Sequence, residues 1–213
     1  MAETKVIKDE GFLISNSIKG AWSIFKEEWI SFYVIQLLPF LIAILYTVAL
    51  EPMGGKESTF GMVWSFVYIF VQIIISMGVV KAYLNMTRGK KITSKTFTGM
   101  LPQVLKYLGA QFLLMLIVLG GLLLFIIPGF YFSLKYMFTP YLVIDKKMGP
   151  IEALKASAKM TEGVKWDLIG FLAATTVLIY AGALALLVGL FITIPVGTLA
   201  YVLLYNKLVK RIE

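Results

Sequence analysis

Residues 168–205 read LIGFLAATTVLIYAGALALLVGLFITIPVGTLAYVLLY, 38 positions without one charged side chain. At 1.5 Å per helical residue such a run covers a bilayer core of about 30 Å twice. It therefore predicts two membrane spans folded back on each other, with the turn near Val188 and Gly189. The same reading carried outward finds four earlier spans. The full set is 29–50, 60–80, 107–127, 129–144, 168–187 and 190–206. The fourth is separated from the third by Ile126-Ile127-Pro128-Gly129, where proline ends the ladder and glycine permits a reversal.

Composition agrees with this reading. Hydrophobic residues make up 59 % of the chain and mean hydropathy is +0.85, against about 45–50 % apolar content in soluble domains. The expected fold class is an all-α polytopic membrane protein, with 1–213 forming a single integral membrane domain. The apolar run beginning at Trp29 is too long and too far into the chain for a cleaved signal peptide, and is read as a retained span. Cysteine and histidine are absent. That removes disulfides, thiolate nucleophiles, the commonest general base and the commonest metal ligands, so neither a metal site nor a cofactor is expected, nor an enzyme.

Charge sets the orientation. Lys5, Lys8, Lys19 and Lys26 precede the first span, and Lys81, Arg88, Lys90, Lys91, Lys95 and Lys106 follow the second. Lys146, Lys147, Lys155, Lys159 and Lys165 follow the fourth, and Lys207, Lys210 and Arg211 close the chain. Of the 20 basic residues, 18 thus fall on one side, leaving Lys56 opposite and Lys135 within a span. The positive-inside rule then predicts a multi-pass protein of the cell membrane with both termini cytoplasmic. The net charge of +8 is explained by this topology. The acid-free 81–106 loop has few aromatics for base stacking, and nucleic acid is not an expected partner.

Segments 14–29, 92–107 and 151–166 each run from an isoleucine to an aromatic residue that opens a span, namely Trp29, Tyr107 and Trp166. Each mixes apolar and cationic residues, and small residues recur at one offset (Gly20-Ala21, Thr98-Gly99, Ser157-Ala158). They predict three repeats of an interfacial amphipathic helix followed by a transmembrane hairpin, with the three aromatics in the cytoplasmic interfacial belt. Gly149-Pro150-Ile151-Glu152 reads as a helix start, with proline at the first helical position and an acid in the first turn. Lys155 and Lys159 then share one face and point to anionic lipid headgroups.

Lys135 is the ionisable residue set well inside a predicted span. An ammonium at bilayer depth costs about 2.5–3.5 kcal/mol on insertion scales. It is read either as a ligand for an anionic group, with Gln36, Gln72, Gln111 and Ser133 as neighbouring polar candidates, or as a lysine snorkelling to the outer surface. Asp145 and Asp167 lie at span ends beside lysines, which suits interfacial carboxylates better than an acid–base pair. Ala181, Ala185 and Gly189 recur at a spacing that permits close helix approach, and Pro39, Pro140 and Pro195 interrupt spans one, four and six.

The most specific text lies in 126–170: Ile127-Pro128-Gly129, Leu134-Lys135-Tyr136, Thr139-Pro140-Tyr141-Leu142-Val143, Asp145, then Gly149-Pro150-Ile151-Glu152-Ala153-Leu154-Lys155-Ala156-Ser157, Gly163 and Trp166. It resembles the YciC-like superfamily of six-helix prokaryotic membrane proteins, which includes the membrane domain joined to some glycerophosphoryl diester phosphodiesterases. The resemblance implies six helices with both termini inside. It implies no common activity, and the phosphodiester chemistry belongs to a separate, histidine-dependent soluble domain. The expected function is a non-catalytic accessory protein of the cell envelope that binds lipid or supports a membrane-protein complex. The alternative is a small transporter or substrate-binding subunit with a polar pocket around Lys135.

Overall fold

The computed structural model describes residues 10–53, 55, 57–184 and 189–213. Lys5, Lys8, Lys56, Ala185, Leu187 and Val188, all used in the sequence reading, lie outside the described residues. The described chain is helical, with no strand among its residues. In order it forms α1 (Glu10–Leu50), α2 (Thr59–Thr87), α3 (Ser94–Thr98), α4 (Val104–Leu124), α5 (Ile126–Tyr136), α6 (Thr139–Lys146), α7 (Pro150–Met160), α8 (Lys165–Leu184) and α9 (Leu190–Leu208). Among the described residues, five stretches are helical, long and apolar enough to cross a membrane: Ile14–Leu50, Thr59–Thr87, Ser94–Leu124, Lys165–Leu184 and Leu190–Arg211. The chain divides into two compact units, Glu28–Val104 and Met1–Glu27 with Leu105–Glu213.

In the Glu28–Val104 unit, the second part of α1 runs antiparallel to α2. Phe32 stacks on Tyr83 with ring centroids 5.0 Å apart, and Tyr46 stacks on Tyr68 at 4.0 Å. The register between those pairs is held by side-chain hydrogen bonds. Tyr83 donates to Gln36 Oε1 at 2.5 Å, and Gln72 Nε2 donates to the Pro39 carbonyl at 3.1 Å and to Tyr68 Oη at 2.9 Å. The N-terminus of α2 is capped by Ser58, whose hydroxyl accepts the Gly61 N–H at 2.9 Å. Short α3 lies directly on α2 at Gly78, where a Cβ would sit 2.3 Å from the Phe97 ring.

In the other unit, α4 and α5 meet at two glycines. A Cβ on Gly121 would lie 2.9 Å from the Gly129 Cα, and one on Gly129 would lie 2.5 Å from Leu122. The reversal itself falls at Phe125, which is extended (φ −168°, ψ 157°), ahead of the expected break at 126–129. Pro128 is accommodated in the first turn of α5, where its missing N–H is not needed. Gly129 thus serves close packing and not the turn. The hairpin of α8 and α9 is pinched in the same way, because a Cβ on Gly182 would sit 2.2 Å from Thr193 Oγ1. The apolar window of α9 is 56 % buried, against 22 % in α8, which makes α9 the centre of this unit. Around it Phe138, Leu142, Ile144, Met160, Leu168 and Phe171 are buried.

The expected span 129–144 is not one helix. The backbone breaks at Met137 and Phe138 into α5 and α6, because Pro140 cannot donate to the carbonyl one turn back and its ring crowds that turn. The three pre-span segments also differ from one another. The first is continuous with span one in α1, interrupted at Glu28 (φ −120°, ψ 22°). The second is five-residue α3 followed by a 3-10 turn at Leu101–Gln103, divided by Gly99 and entered through Pro102. The third forms a separate eleven-residue helix, α7.

Candidate functional site: a lysine groove between α5, α7 and α8

Helix α7 starts where glycine and proline place it. Gly149 precedes the first turn, Pro150 supplies a preset φ, and Glu152 Oε2 accepts the Gly149 N–H at 3.2 Å. Its residues then sort onto two faces. Ala153, Leu154, Ser157 and Met160 are buried, while Ile151, Lys155 and Lys159 are exposed. The buried face docks on the break between α5 and α6. The Ser157 hydroxyl donates to the Lys135 carbonyl at 3.1 Å and accepts the Phe138 N–H at 3.3 Å. Thr161 Oγ1 reaches the same Lys135 carbonyl at 3.1 Å. At the same C-terminal end of the helix, Arg211 Nη1 donates to the carbonyls of Met160 at 2.9 Å and Glu162 at 3.0 Å. The C-terminal end of α7 is thereby held from two sides, by α5 and by the C-terminal segment of the chain.

This docking creates a groove of about 340 Å³ lined by Tyr131, Lys135, Lys155, Ala158, Lys159, Glu162 and Lys165. Tyr131 and Lys135 project from successive turns of α5, Lys155 and Lys159 from successive turns of α7, and Lys165 opens α8. Lys165 Nζ donates to Tyr131 Oη at 2.5 Å and lies 4.1 Å from the ring centroid. Lys135 Nζ lies 5.5 Å from the centroid of Tyr136. Four ammonium groups share the groove with one carboxylate, Glu162. Like charges lining one groove repel one another even in water, so this excess of positive charge favours an anion.

Lys135 therefore faces the lysines that follow it in sequence and does not stand alone. Two sets of candidates that the sequence kept apart, Lys135 and the pair Lys155 and Lys159, line one groove. The remaining polar candidates are engaged elsewhere. Gln36 accepts from Tyr83, and Gln72 donates to Pro39 and Tyr68, all within the Glu28–Val104 unit. Gln111 Nε2 donates to Tyr107 Oη at 3.3 Å, and Ser133 donates to the Phe130 carbonyl within α5. Asp145 Oδ2 accepts from buried Tyr205 at 3.1 Å. Among the aromatics assigned to the interface, Trp29 and Trp166 are exposed and Tyr107 is half-buried. Sequence reasoning passed over Tyr131, Glu162 and Lys165 as site residues. The four-residue spacing of Tyr131 from Lys135 was a visible signal, whereas the approach of α8 to α5 leaves none in local sequence.

Comparison with known proteins adds relatives and no activity. No family model matches the chain, and no solved structure matches it. An uncharacterised protein of Mycobacterium bovis and one of Mycobacterium tuberculosis each align over 234 positions at 23 % identity, covering 95 % of this chain and 70 % of the relative. A further uncharacterised M. tuberculosis protein aligns over 236 positions at 24 % identity with the same coverage.

Proposed function

We propose that the chain is a non-catalytic, multi-pass accessory protein of the cell membrane, binding lipid or supporting a membrane complex through its basic face. The observation that carries this reading is the set of large apolar side chains that the long helices leave uncovered. Leu45 is 67 % exposed, Phe66 74 % and Leu184 86 %, and similar residues recur along α1, α2, α4 and α8. Apolar area costs about 25 cal/mol per Å² in water, so these surfaces call for hydrocarbon. Inside the Glu28–Val104 unit the glutamine and tyrosine groups described above bond to each other, as a lipid-embedded pair of helices requires. In this reading α5 and α6 together make the fourth crossing, giving six, with both termini on the side that carries the lysines.

The test uses the natural absence of cysteine. Single cysteines replace Glu57 and Lys90, and intact cells are treated with a membrane-impermeant thiol reagent. Glu57→Cys is expected to label from outside, and Lys90→Cys only after permeabilisation. The reverse pattern, or release of the protein by alkaline carbonate, would overturn the reading.

A further inference from the structure

We infer that the groove formed by Tyr131, Lys135, Lys155, Lys159 and Lys165 is a binding site for a phosphate monoester. The net charge of its lining decides between ligand classes. Four lysines against Glu162 leave three positive charges. A phosphodiester brings one negative charge, whereas a monoester brings about 1.5 to 2 near neutral pH and three acceptor oxygens. The monoester is the better neutraliser, and its tetrahedral oxygens suit four independently rotating ammonium tips. No arginine lines the groove, so the flat bidentate recognition typical of carboxylates is not what these residues provide.

Tyr131 adds direction to the site. Its oxygen accepts from Lys165 at 2.5 Å, which leaves its own O–H proton to donate into the groove. The volume of about 340 Å³ exceeds what one phosphate fills and accommodates the group to which it is esterified. Two exposed apolar side chains stand beside the lysines: Ile151, one turn before Lys155, and Trp166, next to Lys165. Apolar residues alternating with cations suit a headgroup whose acyl chains continue into the bilayer. A soluble phosphomonoester offers the same anionic group without chains. The lipid form rests on the membrane reading above, while the phosphate preference does not.

The experiment is native mass spectrometry of the full chain in mild detergent. Wild type is compared with Lys155→Gln/Lys159→Gln, altered at two exposed positions, and with Lys135→Met. Each protein is titrated with short-chain phosphatidate, with phosphatidylglycerol, and with phosphatidate in the presence of excess glycerol 3-phosphate. Wild type is expected to retain phosphatidate about fivefold better than phosphatidylglycerol, as roughly one extra charge contributes at a surface. Both variants are expected to lose that preference while keeping the helix content of wild type. Displacement by glycerol 3-phosphate would assign a soluble phosphomonoester to the site, and its failure to displace would assign the lipid. Equal retention of the two lipids by wild type, or a preference that survives in both variants, would overturn the site. A protein that lacks the preference but still labels with the expected topology sinks this inference alone.

Discussion

Ser157 donates its hydroxyl proton to the carbonyl of Lys135 at 3.1 Å, and through that bond α7 is fixed against the end of α5. The same oxygen accepts the Phe138 N–H, so one fully buried hydroxyl serves both sides of the break that Pro140 forces between α5 and α6. Broken helices leave orphan backbone groups, and in an apolar setting such groups need partners. The lysine groove exists because α7 docks there.

Ser157→Ala removes both bonds and leaves a buried N–H unsatisfied. The expected loss is about 1–3 kcal/mol, read as a lowered midpoint in thermal unfolding followed by circular dichroism in detergent. Thr161 continues to serve the Lys135 carbonyl, so the donor to be left orphaned is Phe138 N–H. An unchanged midpoint would show that this bond does not hold α7.

Gly120 and Gly121 are neighbours in α4 with opposite surroundings. A Cβ at Gly120 meets nothing within 4 Å, whereas one at Gly121 meets Phe132 at 2.8 Å and the Gly129 backbone at 2.9 Å. Gly120→Ala is expected to stabilise by about 0.5–1 kcal/mol through helix propensity alone. Gly121→Ala is expected to destabilise by about 1–3 kcal/mol, because backbone atoms across the α4–α5 contact cannot yield as a side chain does. Effects of the same sign at both positions would contradict the close approach of these helices.

Tyr83 and Gln36 form the hydrogen bond that sets the register of α1 on α2. Tyr83→Phe keeps the stacking on Phe32 and removes the donor, for an expected cost of about 1 kcal/mol. Combined with Gln36→Leu, the double-mutant cycle should return a coupling of about 0.5–1.5 kcal/mol from equilibrium unfolding. Additive single effects would mean that the two side chains do not meet.

Phe138 and Trp166 are both large aromatics, but Phe138 is fully buried among Tyr201, Tyr205 and its neighbours while Trp166 is 81 % exposed. Phe138→Ala is expected to cost about 3–5 kcal/mol, the range for emptying a packed aromatic site. Trp166→Ala should change stability in detergent by less than about 0.5 kcal/mol. Refolding yield and unfolding midpoint of the two variants, measured side by side, check both.

Much of the outline was legible because hydropathy is a local property. The run 168–205 could be divided into α8 and α9, and α4 is offset by three residues from the expected 107–127, while α2 starts where expected but continues seven residues past position 80. The start of helix α7 and its cationic face were legible too, from Gly149, Pro150 and the spacing of Lys155 and Lys159, whereas the burial of Ser157 was not. The break in 129–144 had its signal in Pro140, although the long apolar run masked it.

What the sequence determines by itself is which stretches prefer hydrocarbon and on which side the cations collect, because transfer energy and charge depend on side-chain identity alone. Which face of each apolar helix is covered was decided only by tertiary structure. A helix apolar on every side, such as α8, has no sequence-encoded front, and its neighbour is chosen by contacts such as Gly182 on Thr193. The site follows the same division. Lys155 and Lys159 share a face through helical spacing, but Lys135, Lys165 and Tyr131 join them only because the Ser157 hydroxyl answers a break made by Pro140, 17 residues earlier in the chain. Hydrogen bonds between distant segments depend on three-dimensional geometry, and no local pattern carries that information.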